Sequence, residues 1–378
     1  MFSFLIYLCY DVFMNKKLTI LHTEASLGWG GQEKRIMRVM LGSLQAGHNV
    51  LLACNQKSKI YKEAKAVGIK VLHICHRSTI DPLAIFNYIK IIKKYSVDLV
   101  HTHSSRDAWN AGIAARLSMC KPIVIRTRHL AGKIANPFVY KYLADKVVTV
   151  GAYMARVFVD KYGLTKDKVL TIRTGIDLDF FNPNKSYRNL RDMWGCSQED
   201  IIIIQVAVLR GKKGHKVLFN ALRFLIDKGY SNVKVVVVGD GPMKDYLNDL
   251  IVELSLQSNV VMVGHRENIP EYLVNADIFC LPSFEEALGT SILEAMAMGL
   301  PAVASDVGGI PELIDSSRGG LFAVENDVEC AKELEVLLDK SILDKKGTAA
   351  KKYAQSTASL HLMVEQTLNL YQSCISGC

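Results

Sequence analysis

Short apolar runs rich in Val, Ile and Leu alternate with amphipathic stretches along the chain. This order is typical of parallel β-sheets whose strands are joined by crossover helices. Hydrophobicity is continuous in 201–204 and 235–238, which indicates strands covered on both faces. The predicted strands are Leu18–Thr23, Asn49–Cys54, Lys70–Cys75, Leu99–His103, Ile123–Arg128, Val147–Val150 and Val169–Arg173, followed by Ile201–Leu209, Val233–Gly239, Val260–Gly264, Ile278–Leu281, Ala302–Ser305 and Leu321–Val324.

A fresh series of strands begins at Ile201, which indicates two sheets rather than one. A chain of 378 residues is long enough for two domains of ordinary size. We therefore expect an α/β fold in which two doubly wound, Rossmann-like domains face a cleft. The expected limits are 1–183 for the first domain, 184–358 for the second, and 359–378 for a C-terminal helix that packs back on the first.

The start of the chain is a short apolar segment of a different kind. Met1–Phe13 has no basic residues, contains Asp11, and is too short to span a bilayer. Met14, which Asn15-Lys16-Lys17 follows, offers a second start. We interpret 1–13 as a doubtful leader, either a mis-assigned start or a weak interfacial anchor.

The amino-acid composition is consistent with the expected two-domain fold and narrows the class of protein. Apolar residues make up 49% of the chain and charged residues 22%, the balance of a protein with large buried cores rather than a disordered one. The nine cysteines are scattered and lack the paired spacing of zinc ligands. We expect reduced thiols and no structural metal.

Positive charge is concentrated in the first half of the chain. Residues 1–183 contain 27 Lys and Arg against 12 Asp and Glu, a net charge of +15, and the remainder carries −6. Such a field attracts phosphate-bearing partners such as anionic lipid, phosphorylated glycan or nucleic acid. A solvated basic surface is the alternative.

One group of lysines suggests where a membrane would bind. It consists of Lys57, Lys59, Lys62, Lys65, Lys70, Lys90, Lys93 and Lys94. The last three share a predicted helix with Ile89, Ile91 and Ile92, which we expect to supply apolar surface. We predict that this face docks on an anionic bilayer or on a phosphorylated, lipid-linked molecule.

The loop after the first strand, Gly28–Glu33, is rich in glycine. Ligands of doubly wound sheets bind at the carboxyl ends of strands. Gly30 and Gly31 would let backbone amides approach a phosphate at a helix N-terminus, and Arg35 and Arg38 follow on that helix. The dinucleotide fingerprint is incomplete, and a plain tight turn stays open as the alternative.

A basic turn follows the first strand of the second half. Arg210 and Lys213 bracket it, with Gly211 between them. A guanidinium and an ammonium group so placed can bind one diphosphate. An exposed loop with solvated cations is the alternative.

The most specific pattern lies in residues 282–312. Glu286 falls in a loop after a strand, and Glu294, eight positions later, falls in the first turn of the next predicted helix. Both carboxylates can then face one ligand. Ser291 and Glu294 also have the spacing of a capping box, so the role of Glu294 stays open at this point.

These motifs together resemble the retaining glycosyltransferases of family 4, from about Leu18 onward. The matching motifs are Gly30-Gly31, Arg210 with Lys213-Gly214, and Glu286 to Glu294 followed by Gly308-Gly309. The resemblance implies the two-domain GT-B architecture. Residues 102–107 and 126–129 further resemble the branch that builds bacterial lipopolysaccharide cores and other surface glycans.

The resemblance also implies roles for single residues. Arg210 and Lys213 would hold the diphosphate of a nucleotide sugar, Glu286 would orient the donor sugar, and Glu294 would bind the ribose. The remaining implied contacts are the amides of Leu288, Gly289, Thr290 and Ser291 near the phosphates and sugar, Gly30 and Gly31 at the diphosphate, and His129 at the sugar or the acceptor. For His129, a strand-end histidine without such a role is the alternative.

The implied reaction moves a sugar from a nucleotide-sugar donor to a glycan or lipid-linked acceptor with retention, in cell-envelope polysaccharide or lipopolysaccharide synthesis. The second domain would bind the nucleotide sugar and the first would bind the acceptor. We expect no metal or other cofactor, no nucleic-acid partner, and a cytoplasmic enzyme peripheral to the inner face of the membrane. A nucleotide-sugar epimerase and a non-catalytic sugar-nucleotide-binding subunit are the alternatives on this fold.

Overall fold

The computed structural model describes residues 16–376, so the expected leader 1–13 and the start at Met14 lie outside the described residues. The chain forms two compact units. The first contains the residues up to His129, Lys133–Gly175 and the residues from His361 onward. The second contains Leu130–Gly132 and Ile176–Leu360.

The first unit is built on a seven-stranded parallel sheet with strand order β3-β2-β1-β4-β5-β6-β7. Its strands are β1 Thr19–Glu24, β2 Asn49–Cys54, β3 Lys70–His73, β4 Leu99–Thr102, β5 Ile123–Arg128, β6 Lys146–Thr149 and β7 Val169–Thr171. The helices between them are α1 Gly31–Gln45, α2 Lys59–Ala66, α3 Pro82–Lys94, α4 Ser105–Leu117 and α5 Ala152–Arg156, with π-helical segments at Val139–Leu143 and Val157–Lys161.

The second unit has a six-stranded parallel sheet with strand order β10-β9-β8-β11-β12-β13. Its strands are β8 Ile201–Val206, β9 Val233–Val238, β10 Val260–Gly264, β11 Ile278–Leu281, β12 Ala302–Ser305 and β13 Gly319–Phe322. Its helices are α6 His215–Asp227, α7 Lys244–Glu253, α8 Ile269–Leu273, α9 Thr290–Ala297, α10 Asp327–Val336 and α11 Lys340–Thr357, and α12 Leu360–Ser376 follows. Short 3-10 turns lie at Asp192–Trp194, Gly211–Lys213 and Ile310–Glu312.

Every predicted strand is present, and the expectation of two doubly wound sheets is confirmed. Residues 202–204 and 235–238 are at most 1% exposed, which confirms that these strands are covered on both faces. The last strand begins earlier than predicted, at Gly319. A Cβ at Gly319 would lie 2.0 Å from the carbonyl oxygen of Ala302, so glycine permits this close strand approach rather than ending the strand.

The division between the units falls between Gly175 and Ile176, earlier than the expected limit at 183. Arg38 donates a hydrogen bond to the carbonyl of Gly175 at 3.0 Å within the first unit. Ile176 instead donates its N–H to the carbonyl of Ala358 at 2.8 Å within the second. The backbone changes its hydrogen-bonding partners at this peptide.

Helix α12 packs against α1 through a glycine. A Cβ at Gly42 would lie 2.3 Å from Cγ1 of Val364, so any side chain at this position would collide with α12. Tyr371 on the same helix is fully buried. The helix is therefore part of the core of the first unit.

No helix within residues 16–376 has the length and apolar character needed to cross a membrane. The described cysteines are free thiols, and Cys54, Cys196, Cys280 and Cys330 are buried. These buried thiols pack as small apolar side chains.

Candidate functional site

Arg210 and Lys213 lie in the turn that follows β8. Arg210 precedes the 3-10 turn Gly211–Lys213, and Gly214 leaves it with φ +68°. A Cβ at Gly214 would lie 1.7 Å from the carbonyl oxygen of Pro282, so the left-handed glycine lets the turn lie directly against the segment that follows β11. Strands β8 and β11 are neighbours in the sheet, so both segments lie at its carboxyl edge.

This close approach places Lys213 against Glu286. The ammonium group of Lys213 forms an ion pair with Oε1 of Glu286, and the buried hydroxyl of Ser283 donates to the same oxygen at 3.2 Å. The two side chains are 23% and 15% exposed, so the pair is only partly screened by solvent. The carboxylate is thus held in one orientation at the edge of the sheet.

The backbone of Glu286 is fixed by the turn at Gly308 and Gly309. The N–H of Gly309 donates to the carbonyl of Glu286 at 3.1 Å. A Cβ at Gly308, which has φ +59°, would lie 1.9 Å from that carbonyl oxygen. The glycine pair noted in the sequence therefore serves to position the segment that carries Glu286.

Arg210 is exposed, and its guanidinium makes no hydrogen bond or ion pair with any residue in the described range. It differs in this from Lys213, which already has a carboxylate partner. The two cations predicted to act together thus share one turn but have different surroundings. Arg210 is available to an anion, whereas Lys213 also neutralises Glu286.

Helix α9 begins at Thr290, and Gly289 is its N-cap with φ +90°. The amides of Thr290 and Ser291 donate to no acceptor within the described part of the chain. Such free amides at a helix N-terminus form a site for an anion. Leu288 is buried beneath this end of the helix, so only its backbone is suited to a ligand contact.

The structure corrects the capping interpretation of Glu294. Because the N-cap is Gly289, Ser291 already lies inside the helix and cannot cap it. Glu294 is the fifth residue of α9, at the start of the second turn rather than in the first. It is half-buried and has polar contacts of its own.

In the first unit, Gly30 is the N-cap of α1 and Gly31 its first residue. Gly30 is extended, and a Cβ would meet nothing closer than 3.6 Å at Gly30 and nothing within 4 Å at Gly31. Neither backbone strain nor packing within this unit therefore demands glycine. Glu33 accepts the N–H of Gly30 at 2.8 Å and so caps the helix.

The arginines on α1 have structural roles. Arg35 is 4% exposed and donates to the carbonyl of Ile172 at 2.9 Å and the hydroxyl of Thr174 at 3.1 Å. Arg38 donates to the carbonyl of Gly175. Arg35 is thus unavailable to a ligand of the loop 28–33, and one guanidinium nitrogen of Arg38 is already bonded to the backbone.

His129 directly follows β5, as predicted, but it belongs to a histidine cluster that is not apparent in the sequence. His22 lies in β1, His101 in β4 and His103 just after β4, and all three are buried. Nε2 of His129 lies 3.2 Å from Nδ1 of His103, and Nε2 of His103 lies 3.1 Å from Nδ1 of His22. The cluster was hidden because only the strand order β1-β4-β5 brings these residues together.

Ring nitrogens of His22, His101 and His103 lie within 4.8 Å of one another, a spacing that a metal ion could use. However, both nitrogens of His101 are bonded at 2.6 Å to the hydroxyls of Tyr371 and Thr127. Both nitrogens of His103 are bonded to other histidines, which leaves one free nitrogen, Nε2 of His22, among the three rings. The present arrangement is a hydrogen-bonded network rather than a ligand set.

Burial keeps these rings neutral at physiological pH. It lowers the pKa of His22 to about 3, and it lowers the pKa values of His101, His103 and His129 well below the usual range. For His129 the nearby cations Arg35, Arg126 and Arg128 act in the same direction.

Several proteins with similar sequences or structures are glycosyltransferases. A UDP-Gal:α-D-GlcNAc-diphosphoundecaprenol α-1,3-galactosyltransferase from Escherichia coli is 27% identical over 264 residues, which cover 66% of this chain and 68% of that protein. A glycosyltransferase structure from Rickettsia africae matches with a TM-score of 0.86 and 26% identity, covering 96% of this chain and all of that one. These matches give the epimerase alternative no support.

A more distant structure shows the same fold. The Anabaena protein HepE, solved in complex with UDP and glucose, matches with a TM-score of 0.80 and 19% identity over 94% of this chain and all of that one.

Two family models match the chain in succession. Residues 29–180 match the model for Glycosyltransferase Family 4, and residues 187–357 match the model for Glycosyl transferases group 1. Each match falls on one of the two sheets, in the same order as the motifs described above. The chain therefore belongs to the family 4 glycosyltransferases of GT-B architecture.

Proposed function

We propose that this glycosyltransferase moves a sugar from a nucleotide-sugar donor to a glycan or lipid-linked acceptor with retention of anomeric configuration. The observation that carries the proposal is the carboxyl edge of the second sheet. There the unpaired guanidinium of Arg210, the Lys213–Glu286 ion pair and the free amides at the start of α9 follow neighbouring strands. The cations and amides can bind a diphosphate, and the fixed carboxylate of Glu286 beside them can accept hydrogen bonds from sugar hydroxyls.

In this proposal Arg210 and Lys213 bind the diphosphate and stabilise the charge that develops on the leaving nucleotide. The amides of Thr290 and Ser291 add two donors, and the amides of Leu288 and Gly289 line the same end of the helix. Glu286 accepts hydrogen bonds from the donor sugar. Its carboxylate keeps its orientation when sugar binds because Ser283 holds the same oxygen.

Glu294 is proposed as the residue that binds the ribose hydroxyls. Its position in the second turn of α9 leaves the helix cap to Gly289, so the carboxylate is not required there. Gly30 and Gly31 leave space for a phosphate at the start of α1, where the N–H of Gly30 already donates to Glu33 and that of Gly31 does not. His129 offers a ring nitrogen to the sugar or the acceptor.

We propose front-face attack by the acceptor hydroxyl, assisted by an oxygen of the departing phosphate. The residues assigned to the site are cations and hydrogen-bonding groups, which suit charge stabilisation and positioning. Arg210 and Lys213 would supply the positive charge that a metal ion supplies in other enzymes, so we propose that the reaction needs no metal.

For the acceptor we propose a lipid-linked glycan intermediate of bacterial cell-envelope polysaccharide or lipopolysaccharide synthesis. The name of the Escherichia coli relative specifies a diphosphoundecaprenol-linked sugar as its acceptor. We further propose a cytoplasmic enzyme that works at the inner face of the membrane, because an acceptor of that kind resides in a bilayer.

The basic face of the first unit supports membrane docking, with one correction. Ile92 is fully buried, and Ile89 and Ile91 are half-buried against the core, so they do not supply the expected apolar surface. Leu83 and Phe86 on the same helix are 50% and 53% exposed and supply it instead. The lysines from Lys57 to Lys94 named above are all exposed.

Lysines from β3 and from α3 meet at one aromatic ring. Lys70 and Lys94 lie 4.6 Å and 5.5 Å from the ring centre of Tyr95. Charges from α3 and from β3 thus share one surface, where several of them can act on a membrane together.

The test is acceptor-dependent release of nucleotide. The full chain is mixed with UDP-, GDP- or ADP-sugars, and donors are first ranked by thermal shift, because a ligand of the native state raises its stability. Nucleotide release is then measured with and without diphosphoundecaprenol-linked N-acetylglucosamine, and the anomeric configuration of the product is read by NMR. A non-catalytic subunit would show the thermal shift without release, an epimerase would change the sugar without release, and an inverted product would refute retention.

A further inference from the structure

Three histidines form a continuous hydrogen-bonded chain in the first unit. Nδ1 of His22 lies 3.1 Å from Nε2 of His103, and Nδ1 of His103 lies 3.2 Å from Nε2 of His129. His22 and His103 are 0% and 4% exposed. This row of hydrogen-bonded histidines runs from the core of the sheet to its carboxyl edge, where His129 follows β5.

A neutral imidazole carries one N–H and one bare nitrogen, so the two hydrogen bonds must point the same way. In one arrangement His22 donates to His103, which donates to His129, and the proton of His129 is on Nδ1. In the reverse arrangement His129 donates from Nε2, and His22 carries its proton on Nε2.

The two arrangements differ at the buried end of the chain. Nε2 of His22 is buried and has no hydrogen-bonding partner within the described residues. The reverse arrangement would leave an N–H group unpaired there, whereas the forward one leaves only a lone pair. An unpaired buried N–H is the rarer and less favourable of the two.

At the other end, Nδ1 of His129 makes no hydrogen bond with any residue in the range 16–376. The ring itself is half-buried, so this nitrogen is the one open to a ligand. The forward arrangement therefore places an N–H group at the open position, and the reverse arrangement would place a bare nitrogen there.

We propose that His22 and His103 are positioning residues that hold the proton of His129 on Nδ1 and so make His129 a neutral hydrogen-bond donor to an oxygen of the bound sugar or acceptor. The ligand contact rests on the function proposed above, whereas the proton position does not. His129 is by this assignment not a general base, because its open nitrogen already carries the proton.

The proton position is measured directly on the unliganded full chain. Protein labelled with ¹⁵N-histidine is examined by long-range ¹H–¹⁵N NMR at pH 7.5, and the His129 signals are identified as those missing from His129→Gln. We expect a protonated Nδ1 and a bare Nε2. A protonated Nε2 on His129 would overturn the proposal.

The role of His22 is tested by two substitutions. Asn can place an amide N–H where Nδ1 of histidine lies, so His22→Asn should keep the wild-type His129 signals. His22→Asp offers an acceptor in place of this donor. His103 should then donate from Nε2 and accept at Nδ1 from Nε2 of His129, which moves the proton of His129 to Nε2. Unchanged His129 signals in a folded His22→Asp protein would refute the role of His22, and the wild-type spectrum decides the proton position even if this variant does not fold.

The ligand contact is tested by a matched pair at His129. His129→Asn keeps a donor near the Nδ1 position, whereas His129→Gln mimics Nε2 and loses it. With the donor identified by thermal shift, His129→Asn should retain several-fold more transfer activity than His129→Gln. The opposite order would refute the donor role, and wild-type protein inactive with every nucleotide sugar would instead refute the proposed function while the NMR result stands.

Discussion

The phenolic oxygen of Tyr371 lies 2.6 Å from Nδ1 of His101, which is 270 residues earlier in the chain. Both residues are buried, and burial raises the pKa of Tyr371 so that its hydroxyl stays protonated. Since the other nitrogen of His101 is bonded to Thr127, the tyrosine completes a fully paired ring in the centre of the sheet. Helix α12 is thereby tied to the histidine cluster.

We expect Tyr371→Phe to destabilise the protein by about 1 to 3 kcal/mol, because Nδ1 of His101 would be left buried without a partner. The ring is kept, so packing changes little. Chemical denaturation monitored by circular dichroism measures the loss. Tyr142→Phe is the control, since Tyr142 is 64% exposed, and an equal effect of both substitutions would contradict this account.

A second prediction concerns the contact between α1 and α12. Gly42→Ala would place a Cβ 2.3 Å from Cγ1 of Val364, so we expect a loss of roughly 1 to 3 kcal/mol from overpacking. Val364→Ala removes the colliding methyl groups. In a double-mutant cycle the combined variant should be more stable than the sum of the single losses predicts. Additive losses would show that Gly42 is not constrained by Val364.

The Lys213–Glu286 pair gives a prediction with a matched control in the next residue. Lys213→Ala should raise the activation barrier of transfer by roughly 2 to 4 kcal/mol and so lower the rate. The substitution removes a contact to the leaving diphosphate and leaves Glu286 without its ion-pair partner. Lys212→Ala removes an equal charge from a more exposed pair, in which Lys212 lies 3.6 Å from Glu285. We expect near-normal activity from Lys212→Ala, and equal losses from both variants would refute a specific role for Lys213.

The acid Glu24 predicts a pH dependence of stability. It is fully buried at the end of β1, where it accepts hydrogen bonds from the N–H of Ser26 at 2.7 Å, the amide of Gln32 at 2.6 Å and the hydroxyl of Ser104. Burial, and next the nearby Asp107, raise the pKa of Glu24 from 4.5 to about 8. The folded state therefore keeps a proton that the unfolded state releases above pH 4.5.

The contribution of Glu24 to the free energy of unfolding is fully present below pH 4.5 and is lost as the pH rises through about 8. The loss is at most about 1.4 kcal/mol per pH unit. Glu24→Gln mimics the protonated acid, so this variant should gain stability relative to wild type between pH 5 and pH 8. Denaturation curves of both proteins across this range measure the effect, because the titrating groups other than Glu24 and its neighbour Asp107 are common to both. A constant difference in stability would contradict the raised pKa.

The strands could be predicted from the sequence because doubly buried strands have a continuous apolar pattern, as in 235–238. The positions of Arg210 and Glu286 after strands followed from the same pattern, since loops at the carboxyl edge come directly after such runs. The start of α9 did not follow, because Gly289 adopts φ +90° and caps the helix without a polar side chain. Glycine is found at N-caps but is also common in turns, so Gly289 alone does not mark where the helix begins.

Contacts that depend on strand order were beyond the reach of sequence patterns. His22, His103 and His129 meet only because β1, β4 and β5 are adjacent. By contrast, the burial of Ile92 was open to prediction, since it lies four positions after the buried Tyr88 on the same helix face.

The last prediction tests membrane docking through α3. Phe86 is 53% exposed, and the ammonium nitrogen of Lys90 lies 4.2 Å from the centre of its ring. Positive charge and apolar surface therefore lie side by side on α3. Each lysine near an anionic bilayer contributes about 1 kcal/mol within a Debye length. A chain beginning at Met14 should therefore co-sediment with vesicles rich in anionic lipid but not with zwitterionic vesicles, and high salt should release it.

Substitution of Lys90, Lys93 and Lys94 by Glu should weaken this binding strongly, because three attractive charges become repulsive. The control carries the same change of charge at Lys332, Lys340 and Lys345, which are exposed on the second unit. Phe86→Ser should weaken binding even at low salt, since it removes apolar contact without changing charge. If both triple variants lose binding equally, net charge alone explains it and α3 is not the docking face. Equal binding of the wild-type chain to both kinds of vesicle would refute docking by charge and leave the transfer reaction to be judged by its own assay.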